Sequence, residues 1–258
     1  MARTWDENYV AELQKKIEGE ISKISKEPLA VPYSQNSEEI ESLNSGNFRM
    51  ATGAIMFAGI QNYPRDTLKN SFLTLNFTIQ QIMQIIKDWG GISQAYNMNV
   101  VMGSFVESSE ANKLATDALG NSMTMLFVLE QYINPVLQKK FSTRLTLNIG
   151  MDLGEILLGQ MGVPKKSFLI AFGPSSTIAL EFQRLAQPNQ IILGDQLYQA
   201  LPESWKEYCS PLPFDPGWRY RYRESGLKYP YYKYTGRWAS PISSTLISSQ
   251  EIEEEKRP

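Results

Sequence analysis

The sequence predicts an α/β or α+β sandwich, in which a central mixed or antiparallel sheet is flanked by helices. Short apolar or alternating segments of strand length recur along the chain, and longer segments with apolar residues three and four positions apart lie between them. The chain has 258 residues, of which 42% are hydrophobic and 20% charged. This composition is typical of a folded protein with one dominant core and excludes disorder for most of the chain.

The chain is expected to have four parts. In order they are an N-terminal amphipathic helix, a linker, a main domain and a disordered tail, over residues 1–27, 28–47, 48–239 and 240–258. The helix is predicted by a capping box from Thr4 to Glu7 and by the apolar residues at helical spacing that follow it. Its apolar stripe must pack against the main domain or against a second copy of the chain. Pro, Ser and Asn predict the linker, and a bias toward Ser, Glu and Lys predicts the tail.

The first half of the main domain predicts a strand, a helix and a hairpin. Ala51–Ile60 is a near-continuous apolar run, as expected for a central strand buried on both faces. The next helix is predicted with Pro64 in its first turn and with apolar residues as far as Ile86, which cover one face of the sheet. Ile92–Asn97 and Val100–Val106 predict two short strands joined by a tight turn.

The second half predicts a long helix, three strands, a second helix, and a final short strand and helix. In chain order these are Ala111–Phe141, Leu145–Met151, Gly154–Gln160, Ser167–Phe172, Ser175–Ala186, Gln190–Leu193 and Asp195–Leu201. The order strand, helix, strand, strand, helix, strand is the split βαβ arrangement of ferredoxin-like domains, here enlarged at its end.

Composition and charge exclude several functions. Lys and Arg number 25 and Asp and Glu 27, so a net charge of −2 draws the chain to neither nucleic acid nor an anionic membrane. No apolar run approaches the roughly 20 residues that span a bilayer, and the polar start resembles no signal peptide, so a cytoplasmic protein without a membrane partner is expected. The absence of His and the single Cys209 exclude Ser-His-Asp, Cys-His and His-zinc chemistry within this chain.

An alternating aromatic and basic segment, Trp218 to Arg223, raises a nucleic-acid hypothesis. Interleaved rings and cations are what single-strand binders use for stacking and phosphate contacts. The same period of two also predicts an amphipathic strand, with the rings on one face and Arg219, Arg221 and Arg223 on the other. Because the net charge is not basic, the strand interpretation is preferred and nucleic-acid binding is not expected.

Six segments carry a family resemblance. They are Ala54–Tyr63, Ile85–Gly91, Tyr96–Phe105, Leu147–Ile156, Phe172–Ala179 and Gln190–Leu193. In this order they resemble the motifs vlFaDIxgFt, ieryGG, tiGDavmavF, vgIhtGev, yxGdtVNlA and qIlvs of class III nucleotidyl cyclase catalytic domains, the adenylate and guanylate cyclases. The resemblance extends from about Phe48 to Trp238 and implies a cyclase-type sandwich. It also implies a homodimer with a nucleotide site across the interface.

The resemblance assigns six positions of this sequence to the family's site. In the family, two Asp hold metal ions, a Lys and an Asp or Thr read the base, and an Asn and an Arg steady the transition state. In this chain these positions hold Gly59 and Asn99, Ala95 and Ile170, and Thr177 and Glu181, respectively. All six therefore depart from the family's pattern.

These departures predict that catalysis is lost. Gly59 has no side chain to ligate a metal, and the neutral oxygen of Asn99 ligates Mg²⁺ poorly compared with a carboxylate. Glu181 places a negative charge where a triphosphate needs a positive one. We accordingly assign no catalytic residue, no metal ligand and no cofactor.

Backbone groups could still bind an anion. The N–H groups of Gln61, Asn62 and Tyr63 are expected just ahead of a helix N-terminus, where orphan donors favour negative charge. The sequence thus favours a catalytically degenerate cyclase-like protein that acts as a dimeric ligand-binding or regulatory module for a nucleotide, a small molecule or a protein. The alternative is a diverged but active nucleotidyl cyclase that makes a cyclic nucleotide with Mg²⁺ or Mn²⁺ and relocated carboxylates such as Asp66 or Glu181.

Overall fold

The computed structural model describes residues 14–15, 17–19, 32–44, 46–163 and 166–238. The chain divides into two units, residues 1–32 and 33–258. In the first unit the described residues 14–15 and 17–19 are helical, and the rest of the predicted N-terminal helix lies outside the described residues, as does the predicted tail 240–258. None of the described helices is long and apolar enough to cross a membrane.

The second unit is built around an eight-stranded mixed sheet. Its strands are β1 (Phe48–Gln61), β2 (Ile92–Ala95), β3 (Val100–Phe105), β4 (Thr146–Val163), β5 (Lys166–Phe172), β6 (Ile191–Gly194), β7 (Cys209–Pro211) and β8 (Tyr231–Tyr234). The order across the sheet is β2-β3-β1-β4-β6-β8-β7, and β5 pairs with β4 off this path. Only the β4–β6 pair is parallel among these described strands.

Helices cover both faces of this sheet. They are α1 (Ser37–Glu41), α2 (Leu68–Asp88), α3 (Ala111–Val128), a π-helical turn (Leu129–Ile133), α4 (Asn134–Phe141), α5 (Pro174–Leu185), α6 (Asp195–Ala200) and α7 (Glu203–Lys206). Because side chains alternate along a strand, β1 contributes to two cores. Met56 and Ile60 pack with α2 and α3, whereas Ile55 and Phe57 pack on the side of α1 and α5. The predicted sandwich with a central sheet flanked by helices is confirmed.

Two segments differ from the sequence prediction, one because strand pairing joins two predicted strands and one because a buried side chain orders part of the linker. Leu145–Met151 and Gly154–Gln160 are parts of one strand, β4, which pairs with β1 along all of Phe48–Gln61. Within the predicted linker, Ser37–Glu41 forms α1, whose Ile40 is fully buried in the core beside β1.

The start of α2 differs from the prediction and shapes the neighbouring surface. The hydroxyl of Thr67 accepts a hydrogen bond from the backbone N–H of Asn70 at 3.1 Å, so the helix begins at Leu68 rather than at Pro64. The Ser71 hydroxyl donates to the Pro64 carbonyl at 2.6 Å and holds the preceding loop against the helix. The first helical residue, Leu68, therefore lies further along the chain than predicted, and anion binding by the backbone N–H groups of residues 61–63 stays a prediction.

The aromatic and basic segment is also not a strand, because residues 218–223 form only one isolated bridge, Arg221 with Lys228. The predicted alternation nevertheless holds: Trp218 is buried, and the three Arg side chains are exposed. The Trp218 indole N–H donates to the Tyr229 carbonyl at 2.9 Å. The rings thus serve the core, as the strand interpretation implied for that face.

Candidate functional site

A cavity of about 550 Å³ opens between the hairpin β2–β3, strand β5 and helix α5; we call it the cleft cavity. It is lined by Phe57, Gln94, Ala95, Tyr96, Met102, residues 168–172, Ser176, Thr177 and Leu180. Three of the six positions assigned by resemblance, Ala95, Ile170 and Thr177, lie in this lining. The fold therefore brings the two base-reading positions and the Asn position together.

The lining of the cleft cavity is apolar and carries no charged side chain. Two of its hydroxyls already donate to backbone groups, Ser176 to the Ala171 carbonyl at 2.8 Å and Thr177 to the Gly173 carbonyl at 3.2 Å. The ring of Tyr96 meets that of Phe57 edge to face, with centroids 5.1 Å apart. Such a surface suits an apolar or aromatic group and offers nothing to neutralise a phosphate.

The two metal positions are also adjacent. Gly59 pairs with Val100 across the β1–β3 ladder, directly beside Asn99. The Asn99 carbonyl accepts from the backbone N–H of Ile60 at 2.7 Å, and its side-chain amide donates to the Ile60 carbonyl at 3.0 Å. Asn99 thus fastens the hairpin turn to the end of β1.

The space beside Gly59 is filled by another residue. A Cβ added at Gly59 would lie 2.2 Å from Nε2 of Gln183, a buried residue of α5. Real Cβ atoms do not approach other atoms so closely, so a carboxylate at this position would have to displace the Gln183 amide. The sequence analysis missed Gln183, since nothing in its spacing marks it as the neighbour of position 59.

The residues present do not fit the family's metal ions. Hard divalent cations require several oxygen ligands, with carboxylates preferred. Gly59 supplies none and Asn99 supplies one amide oxygen, and no group of three or more His, Cys, Asp or Glu suited to a metal occurs among residues 32–44, 46–163 and 166–238. No catalytic step through a metal can be derived from this donor set.

The remaining candidate residues lie outside the cleft cavity. Glu181 pairs with Arg184 on the surface of α5 at 3.3 Å and is absent from the cavity lining. Asp66, the relocated ligand of the alternative hypothesis, accepts from the Asn70 amide at 2.7 Å near the start of α2. Tyr63 lines a different groove, against the first turns of α2.

A buried carboxylate was missed by the sequence analysis. Asp152 of β4 is 1% exposed and accepts a hydrogen bond from the Tyr229 hydroxyl at 2.9 Å. Burial, with a smaller contribution from the neighbouring negative charge of Asp195, raises the pKa of Asp152 to about 8. Tyr232 donates to Asp195 at 2.9 Å, and Tyr222 donates to the same carboxylate. Asp152 lies between the core residues Met151 and Leu153 of β4 and so falls on the polar phase of the alternation, which gave no signal of its burial.

The sequence matches a family profile over most of the described domain. The profile is described as the adenylate and guanylate cyclase catalytic domain and matches residues 48–210, which is more than half of the chain. The chain belongs to this family, as the six ordered segments predicted. No curated protein matches the sequence significantly.

Solved structures show the same fold at low identity. The adenylyl cyclase CyaB from P. aeruginosa superposes with a TM-score of 0.61 at 13% identity, over 74% of this chain and 97% of that chain. A dimeric guanylyl cyclase domain of the RhoGC fusion protein from Blastocladiella emersonii superposes with a TM-score of 0.56 at 16% identity, over 74% of this chain and 99% of that chain. A class III adenylyl cyclase-like ATP-binding protein from Pseudomonas aeruginosa superposes with a TM-score of 0.61 at 17% identity, over 74% of this chain and 45% of that chain.

Proposed function

We propose that this chain is a catalytically degenerate class III cyclase-like protein whose cleft binds a ligand or a partner without cyclising a nucleotide. One observation carries the proposal: the cleft cavity, where three of the six assigned positions meet, has an apolar and uncharged lining. Cyclisation moves negative charge onto a pyrophosphate leaving group, so stabilisation of the transition state requires metals or cations in this cleft.

The position of Gly59 supports the loss of catalysis. A missing metal ligand could in principle be replaced by a nearby carboxylate, but the Gln183 side chain occupies the room beside Gly59. The two carboxylates named as possible relocated ligands, Asp66 and Glu181, are engaged with Asn70 and Arg184. The active-cyclase alternative thus has no observation in its favour among these contacts.

A ligand-binding role has a precedent of the same fold. One solved relative is described as a cyclase-like ATP-binding protein rather than as a cyclase. In the present chain the cleft cavity, with the rings of Phe57, Tyr96 and Phe172, would accept a flat apolar or aromatic group such as a ring system. The volume of about 550 Å³ lies in the usual range for small-molecule sites.

We further propose that a second copy of the chain covers the mouth of this cavity. Phe172 is 70% exposed at the mouth, and Tyr96 and Phe168 are about half exposed. Exposed apolar patches of this kind mark interaction surfaces. A dimer would turn the open cleft into an enclosed site that is shared between two chains.

The decisive measurement is turnover. Purified protein would be incubated with ATP, GTP, CTP or UTP and with Mg²⁺ or Mn²⁺, beside an active cyclase domain as the positive control. We expect no cyclic nucleotide from any combination. Metal-dependent formation of any cyclic nucleotide would contradict the proposal, and its loss in Asp66→Asn or Glu181→Gln would support the diverged cyclase with relocated ligands.

A further inference from the structure

A second concave surface lies apart from the cleft and shares no lining residue with it. We call it the α2 groove: it runs along the first three turns of α2, between the loop of residues 62–67 and the β2–β3 turn, and encloses about 620 Å³. Large apolar side chains along it face solvent, with Leu68 91%, Phe72 67% and Met98 68% exposed. A cluster of this kind has a substantial free-energy cost in water unless something covers it.

Residues of the main core form the floor of the α2 groove. Leu75 and Ile79 line the groove and also belong to, or pack against, the core between the sheet and α2 and α3. The loop wall is fixed by the hydrogen bond from Ser71 to Pro64, and the turn wall by the Asn97 side chain, which accepts from the backbone N–H of Asn99 at 3.0 Å. The groove is thus a preformed surface rather than a gap between mobile side chains.

One charge stands in this apolar lining. Arg65 is the single charged residue that lines the groove, and its guanidinium lies 5.6 Å from the centre of the Tyr63 ring. No carboxylate of the described residues forms a salt bridge with it. Guanidinium groups bind carboxylates in a bidentate geometry, and the part of the chain that the structure describes supplies no such partner to Arg65.

We propose that the α2 groove binds an amphipathic carboxylate, a molecule with an apolar chain or ring and one anionic head. The apolar part would lie along Leu68, Phe72 and Met98, and the carboxylate would pair with Arg65. A small molecule fits better than a protein surface, because the groove has the volume of a ligand site, whereas a stable protein interface buries about 800 Å² on each partner. The proposal does not depend on the function of the cleft.

Decanoate is a suitable probe, with decanol as its uncharged counterpart. Both would be titrated below their aggregation limits into the full-length protein by calorimetry, with the wild type, Arg65→Gln, Lys69→Gln and Met98→Ser. Lys69 is the matched control, since it carries the same charge on the same helix but does not line the groove. Met98 is largely exposed, so its replacement tests the apolar wall without opening the core.

We expect decanoate to bind once per chain and Arg65→Gln to weaken it about fivefold, near the upper end for an exposed ion pair. Decanol should be unaffected by Arg65→Gln, Lys69→Gln should behave as wild type, and Met98→Ser should weaken both probes. Equal losses for decanoate and decanol in Arg65→Gln, or unchanged decanoate binding in that variant, would overturn the proposal. So would absent binding combined with a loss of self-association in Met98→Ser, because a second copy would then be the occupant.

Discussion

The pKa and the contacts of Asp152 are set by the residues that bury it. The Tyr229 hydroxyl donates to the Asp152 carboxyl at 2.9 Å and accepts from the Gln196 backbone N–H at 2.8 Å. Through these two hydrogen bonds Tyr229 connects Asp152 to the first turn of α6. The close approach also explains Gly194, because a Cβ there would lie 2.3 Å from the Asp152 carboxylate. This residue joins β4, α6 and the segment after β7 at one buried point.

Asp152 should make the stability of the protein depend on pH. Its folded-state pKa of about 8 lies well above the usual value near 4, so between these values the unfolded chain has lost a proton that the folded chain keeps. The free energy of unfolding should therefore fall as the pH rises from about 5 to about 8. Asp152→Asn removes this titration, and its stability relative to wild type should rise by on the order of 4 kcal/mol across that range, because each pH unit between the two pKa values contributes about 1.4 kcal/mol.

Urea unfolding at several pH values measures this difference. The control is Asp88→Asn, which removes an exposed carboxylate at the end of α2. Its profile should run parallel to that of the wild type. Parallel profiles for Asp152→Asn and wild type would instead mean that the buried group does not titrate in this range.

At the scale of elements, the approach of α5 to the sheet decides what the cleft can hold. The helix lies so close to β4 that a Cβ added at Gly150 would be 2.3 Å from the backbone carbonyl oxygen of Ala179 and 2.1 Å from the backbone nitrogen of Gln183. Two strand glycines, Gly59 and Gly150, permit this contact. At position 59 the obstacle is a side chain rather than the backbone, so it can be removed by mutation.

This packing predicts a coupled pair of mutations. Gly59→Asp restores the family's residue but forces the carboxylate against Gln183, and should lower the free energy of unfolding by about 1–3 kcal/mol without giving turnover. In the double variant with Gln183→Ala, part of this loss should be recovered. A double-mutant cycle from urea unfolding measures the coupling, and strictly additive effects would show that Gln183 does not occupy this space.

At the scale of the whole molecule, the apolar mouth of the cleft cavity predicts self-association. Phe172→Asp places a charge at the centre of this surface and should convert a dimer to a monomer in sedimentation at micromolar concentration. Because Phe172 is largely exposed, the fold should tolerate the change. Leu227→Asp, at an equally exposed loop position, is the control and should remain dimeric. A wild type that is monomeric, or a Phe172→Asp variant that stays dimeric, would contradict the proposed interface.

The sequence was sufficient for the order of the main elements between β1 and α6, because their patterns are local. The apolar run ending at Ile60 predicted β1, the spacing from Leu75 to Ile86 predicted α2, and the alternation in residues 145–151 predicted the first part of β4. The same order carried the resemblance that the family match confirms over residues 48–210. The boundaries were less certain, since the length of β4 depends on its partner β1 and the start of α2 depends on the cap at Thr67.

By itself, the sequence determined the fold family and the chemistry excluded from this protein, because residue types and their periodicity fix which elements form and which reactive groups exist. Only the tertiary structure decided that Ala95, Ile170 and Thr177 share one apolar cavity and that Gln183 fills the space beside Gly59. It also decided that Arg65 is the one charged residue in the lining of the α2 groove and that Asp152 is buried. These facts arise from contacts between residues far apart in the chain, whose distances no local pattern encodes.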